Sequence, residues 1–106
     1  MGKWRVEKIE VTTYSSGGVP TTTSTTYGPS DYFEFRDNQD DDFVLGLGSS
    51  TTVGSYSSLQ MGKFLLDFTT KDLDCDVITA NGNQLQFVGT VAGSNPKVTE
   101  TYYLSR

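Results

Sequence analysis

"KWRVEKIEVTTY", residues 3–14, is a long run of strand-forming residues at the start of the chain. Apolar side chains recur at every second position, as in a half-buried β-strand. Their parity changes partway along, since Trp4 and Val6 share one face while Ile9 falls on the other. One extra residue near Glu7–Lys8 would return all three to the same side. The run therefore predicts a first strand that contains a β-bulge at this point.

Seven further segments show the same alternation and end at turn-forming residues. They cover residues 31–36, 43–48, 51–59, 63–69, 73–79, 84–91 and 97–106. None shows sustained helical spacing, and most links are short, so consecutive strands should pair antiparallel. Eight such strands can close into a barrel without free edges, whereas a two-sheet sandwich usually needs longer crossovers. The sequence predicts an all-β, eight-stranded antiparallel up-and-down β-barrel without significant helix, in a single domain over residues 1–106.

The first connection is the long one. Residues 15–30 are rich in threonine and serine and contain Pro20 and Pro29 as strand breakers. We predict a long first loop at this position. Two alternatives are open for it. The segment either acts as a lid over one end of the barrel or simply extends the first hairpin.

The phenylalanines all fall on the inward parity of their strands. Together with nearby side chains they give the candidate ligand-binding residues: Phe33, Phe35, Phe43, Phe64, Phe68, Phe87, Tyr56, Glu100 and Tyr102. An eight-stranded barrel holds either its own side chains or one small ligand. Glu100 shares the parity of Tyr102, and a buried carboxylate is costly unless it is paired. Either Glu100 lies at the barrel mouth and binds a polar ligand group, or a bulge turns it outward.

Composition argues against several classes of function. The net charge is −5 and the eight basic residues are scattered, whereas a nucleic-acid-binding surface needs clustered Lys and Arg. Histidine is absent and no nucleophile or acid–base pair stands out, so we expect neither an enzyme nor a cofactor. The lone Cys75 excludes an internal disulfide and has inward parity, which indicates a small buried hydrophobe.

One acidic stretch, "RDNQDDDF" at Arg36–Phe43, is similar to an oxygen-rich calcium loop. It lacks the central glycine and the distal glutamate that such loops use. We therefore expect a solvated hairpin turn here and no metal site.

Short motifs along the chain resemble the lipocalin superfamily. They are "GKW" at Gly2–Trp4, "YFEFRDN" at Tyr32–Asn38, "GSY" at Gly54–Tyr56 and "TETYYLSR" at Thr99–Arg106. More narrowly, the chain is similar to the compact lipocalin-like domains of Bacteroides-type bacterial lipoproteins. The resemblance implies that Trp4 closes one end of the barrel and that Arg106 packs over its ring. An arginine over an indole adds cation–π and stacking contact.

The resemblance also implies a function and a location. We expect a barrel that binds a small apolar or amphipathic ligand in the bacterial cell envelope, in the periplasm or at the outer-membrane surface. Export would use a signal peptide that precedes this sequence, and a lipid anchor would supply the only membrane attachment. The alternative is a filled structural barrel that serves as a protein- or glycan-interaction module of a surface lipoprotein. The oligomeric state is left open.

Overall fold

Antiparallel strands account for most of the computed structural model, which describes residues 2–36, 42–58, 62–68, 70–94 and 96–106. The strands are β1 (Gly2–Tyr14), β2 (Pro20–Thr26), β3 (Tyr32–Phe35), β4 (Asp42–Leu47), β5 (Ser50–Ser58), β6 (Lys63–Asp67), β7 (Asp72–Ala80), β8 (Gln84–Val91) and β9 (Val98–Ser105). The described ranges contain no helix, and therefore none that could cross a membrane.

The strands form one sheet that closes on itself. Their order is β2-β1-β3-β4-β5-β6-β7-β8-β9, and β1 also pairs with β9. Eight strands, β1 and β3 to β9, therefore make a closed antiparallel barrel, and β2 lies outside the ring. The predicted eight-stranded antiparallel barrel is confirmed. Short turns and inward-facing apolar residues at alternate positions explain why consecutive strands pair in this way.

The bulge predicted in β1 is confirmed. Against β9, Val6 lies opposite Leu104 and Lys8 lies opposite Tyr103, so Glu7 is the extra residue. The bulge places Ile9 on the same inward face as Trp4 and Val6, and all three are buried. It also divides β1 between two neighbours on its other side. Residues 2–5 pair with β3, and residues 8–14 pair with β2.

The predicted long first loop is wrong over Pro20–Thr26, because these residues form β2 and extend the first hairpin. Threonine is β-branched and favours extended backbone. Pro20 occupies the first position of the strand, where a missing N–H is tolerated. Of the two alternatives for residues 15–30, the extended hairpin is therefore the one that forms.

The two ends of the chain meet where the barrel closes. The guanidinium carbon of Arg106 lies 4.1 Å from the centroid of the Trp4 ring, and the indole is 6% exposed. The backbone N–H of Arg106 donates to the carbonyl of Asn83 at 3.0 Å, which fixes the end of β9. An aromatic ring covered by a cation can thus be buried close to a chain terminus.

Truncation of this ring tests the closure. We expect Trp4→Ala to lower the free energy of unfolding by about 3–5 kcal/mol, because a buried aromatic side chain is replaced by a void. Urea unfolding followed by circular dichroism measures the change. Val53→Ala is the control, since Val53 is 49% exposed. A loss below about 0.5 kcal/mol for Trp4→Ala would show that the strand end is frayed.

Candidate functional site

The barrel interior contains the aromatic side chains predicted to bind a ligand. Phe33 stacks on Phe35 and Phe43, with ring centroids 4.7 and 5.3 Å apart. Phe87 stacks on Tyr102 at 4.9 Å and meets the edge of Phe64 at the same distance. These separations are those of rings in direct contact. The rings therefore fill the lumen at this level with the chain's own side chains.

One inward position of the barrel wall is a glycine because a ring occupies the space beside it. A Cβ at Gly54 would lie 2.3 Å from the backbone oxygen of Asp67 and 2.6 Å from the Phe43 ring. Neither distance is possible without a shift of the structure, so a side chain at this position would push the Phe43 ring aside. The missing side chain explains why alternation is weak along β5. Tyr56, the last residue of the "GSY" motif, meets the Phe35 ring edge-on, with ring centroids 5.4 Å apart. Its hydroxyl donates a hydrogen bond to the carbonyl of Arg36.

A charged cluster lies inside the barrel wall next to these rings. Glu100 points inward and is 7% exposed, so the outward alternative is wrong. Its carboxylate accepts a hydrogen bond from the Tyr102 hydroxyl at 2.7 Å and one from Lys71 Nζ at 2.5 Å. Lys71 comes from the link between β6 and β7, and its ammonium also lies 5.1 Å from the Phe68 ring. The chain thus supplies the partner that a buried carboxylate requires.

Burial controls the chemistry of the polar groups in the interior. Desolvation, reinforced by Glu100, raises the pKa of the Tyr102 hydroxyl far above its ordinary value, so this group stays a proton donor to the carboxylate. Desolvation also raises the pKa of the Cys75 thiol from 9.0 to about 12, with Asp74 and Asp76 adding to the shift. A thiol with so high a pKa is a poor nucleophile at neutral pH.

Outside the lumen, β2 offers one side of its backbone to a partner. All seven of its residues are exposed, and its only strand neighbour within the described ranges is β1. Two hydrogen bonds that flank the β1–β2 ladder show which of its cross-strand pairs are hydrogen-bonded. The Ser15 N–H donates to the Val19 carbonyl, and the Tyr27 N–H donates to the Glu7 carbonyl. Bonded pairs alternate along an antiparallel ladder. The odd-numbered residues of β2 therefore bond to β1, and Thr22, Ser24 and Thr26 direct their backbone groups away from it.

We call these outward N–H and C=O groups of Thr22, Ser24 and Thr26 the β2 edge. Edge strands in natural proteins are commonly protected by charged residues, bulges or interior prolines. The β2 edge has none of these, and the whole segment 11–30 contains no Asp, Glu, Lys or Arg. Sequence reasoning missed it because a strand exposed on both faces shows no apolar alternation. The run of six threonines and serines at 21–26 was the signal that could have revealed it.

A groove of about 430 Å³ runs along the outer face of the same wall. Its lining includes Thr26, Thr79, Gln86 and Tyr103. Lys8 covers the Tyr103 ring at 4.4 Å, and the Tyr103 hydroxyl donates to Glu10 at 2.6 Å. The aromatic side chain of this groove is therefore engaged with its own neighbours.

The acidic stretch interpreted as a turn lies mostly outside the described residues, which omit 37–41. Within the described ranges, no group of three or more Asp, Glu, Cys or His side chains is arranged to hold a metal ion.

The interior ion pair can be tested with a double-mutant cycle. We expect Lys71→Met to destabilise the protein by about 1–3 kcal/mol, because it leaves a buried carboxylate without its cation. Adding Glu100→Gln should recover much of this loss, since a neutral amide oxygen still accepts from Tyr102. Urea unfolding at neutral pH measures both changes.

The exposed pair Lys63–Asp76, with Nζ 2.6 Å from the carboxylate and both side chains more than half exposed, provides the control. Lys63→Met should change stability by less than about 0.5 kcal/mol, because solvent screens this pair. Additive effects of Lys71→Met and Glu100→Gln would contradict the interior ion pair.

The Cys75 thiol should be unreactive in the folded protein. Near pH 8, we expect a disulfide reagent to modify it only as fast as the protein opens, and at once in denaturant. Because the folded pKa is the higher one, the unfolded chain loses its thiol proton first as pH rises above 9.0. Stability should therefore fall between pH 9.0 and about 12 more in the parent chain than in Cys75→Ala. Complete labelling of native protein within the mixing time would contradict the buried thiol.

Comparison with known proteins gives no relative for this chain: no family model, no curated protein and no solved structure matches it.

Proposed function

We propose that this protein is a filled β-barrel that acts as a protein-interaction module, and that the β2 edge receives an extended segment of a partner. The observation that carries the proposal is the exposed, uncharged strand β2, which is attached to a barrel whose lumen is occupied by its own rings. In strand addition, backbone hydrogen bonds supply affinity and alternate side chains supply specificity. The β2 edge offers both without any rearrangement of the barrel.

The packing of the lumen supports this alternative over a small-ligand carrier. A ligand at the level of Phe33 and Phe87 would have to displace side chains that are 0% exposed and in mutual contact. Protein interiors are close-packed, so inserting a ligand among such rings would cost a large amount of free energy. The polar cluster at Glu100 is likewise satisfied by Lys71 and Tyr102.

Kinship with the lipocalin-like domains of bacterial lipoproteins and a location in the cell envelope are also part of the proposal. Both rest on the motif resemblance at Gly2–Trp4 and Thr99–Arg106. An interaction module on a surface-anchored protein agrees with the acidic, histidine-free composition, which carries no basic patch for nucleic acid.

A peptide titration tests strand addition. We expect an eight-residue peptide of alternating threonine and valine, added to dilute isotope-labelled protein, to shift the backbone amide resonances of Thr22, Ser24 and Thr26. Resonances of β5 and β6, on the opposite wall, are the internal control. The same peptide with its four central residues replaced by proline lacks backbone N–H groups on both sides of the strand there and should leave the spectrum unchanged. An unchanged spectrum with the first peptide would contradict the proposal.

A fluorescent fatty-acid probe tests the filled lumen. We expect no saturable binding, because the space that an acyl chain would need is occupied by aromatic rings. Saturable binding near one equivalent that is lost in Phe33→Trp, which enlarges a ring inside the lumen, would favour the ligand-carrying barrel instead. Val53→Trp, at an exposed position, is the matched control.

A further inference from the structure

We infer that the strand received by the β2 edge comes from a second copy of this chain, so that two barrels join through antiparallel β2–β2 pairing about a twofold axis. The inference rests on the proposed function and names its partner. In such an isologous contact the same surface must complement itself. The β2 edge meets this requirement in its backbone, its side chains and its charge.

The backbone of β2 complements itself in one register. Thr22, Ser24 and Thr26 are the residues whose N–H and C=O groups point away from β1. If Ser24 lies opposite Ser24 of the second copy, Thr22 lies opposite Thr26 in both directions. Bonded pairs then recur at every second residue, as an antiparallel ladder requires. Every outward group of the three residues finds a partner, and Pro20, which has no N–H, stays outside the ladder.

The side chains along this register also match. A threonine lies opposite a threonine on either side of the central serine pair, and such hydroxyl-bearing cross-strand pairs are favourable. The protein already contains one example: Thr12 on β1 and Thr22 on β2 are directly opposite, with their hydroxyl oxygens 2.9 Å apart. Thr12 and Thr22 form a non-hydrogen-bonded pair of their ladder, and in a β2–β2 contact Thr23 lies opposite Thr25 in the same kind of pair.

Charge also permits two copies to meet at this site. Each copy carries a net charge of −5, so acidic surfaces repel one another. Segment 11–30 is free of charged residues, and β2 lies in the middle of it. Two copies that meet at β2 therefore bring no like charges into direct opposition.

The expected dimer is weak. A single pair of short strands buries far less than the roughly 800 Å² per partner of a standard interface. Dissociation constants of about 10 μM to 1 mM follow for so small a contact. Association is then controlled by local protein concentration, which is high for a chain anchored to a surface.

Sedimentation equilibrium from about 10 μM to 1 mM measures the association directly. We expect concentration-dependent dimers for the parent chain. Ser24→Lys and Ser24→Glu each place like charges opposite each other at the twofold axis, and each should raise the dissociation constant at least about tenfold. An equimolar mixture of the two variants should associate as well as the parent chain or better, since the central pair then carries opposite charges.

The mixture distinguishes lost pairing from lost folding, because an unfolded variant could not be rescued by its counterpart. Ser57→Lys, an exposed position on the opposite wall in β5, is the control and should leave the dissociation constant unchanged. A chain that stays monomeric at the highest concentration, or dimers that are insensitive to both Ser24 variants, would overturn the inference. If the threonine–valine peptide still binds such a monomer, the proposed function stands and its partner is another protein. If neither the peptide nor a second copy binds, both fail.

Discussion

The extra residue at Glu7 is the constraint on which the rest of the structure depends. Without it, Ile9 would turn outward while Trp4 and Val6 stay inside, and the inner face of β1 would be lost halfway along the strand. A bulge also increases local twist and bends the strand. β1 can therefore pair with β9 over residues 5–13 while its other side pairs first with β3 and then with β2. Glu7 therefore lies where the neighbour of β1 changes from β3, inside the ring, to β2, outside it.

What fills the barrel decides what the barrel can do. The aromatic rings meet across the lumen at contact distance, and Gly54 provides the space that the Phe43 ring occupies. Glu100, the one carboxylate buried among the described residues apart from Asp31, is neutralised by Lys71 from a neighbouring turn. An interior filled in this way supports the proposal that recognition takes place on the outside of the wall.

Most of the barrel could be predicted from the sequence. One face of each barrel strand is buried, so apolar residues recur at every second position along it. The bulge followed from a parity change between Val6 and Ile9, and the contact between Trp4 and Arg106 followed from the motif resemblance. The strand β2 could not be predicted in this way, since it buries neither face. The partner of Glu100 was equally hidden. Lys71 lies 29 residues away in a turn, and no local pattern links a turn lysine to a carboxylate on the last strand.

Closure of the barrel also explains why the edge of β2 matters. In an open sheet, two edges compete for any added strand, and natural proteins protect both. Here the pairing of β1 with β9 closes the ring, and β2, outside it, has one side without a strand partner in the described residues. Threonine and serine keep this edge extended and soluble without the charges that would prevent pairing. In the proposed dimer each copy uses the one free side of β2, so the twofold contact leaves no further β2 side for a third copy, which is the geometric condition for a finite assembly instead of a fibre.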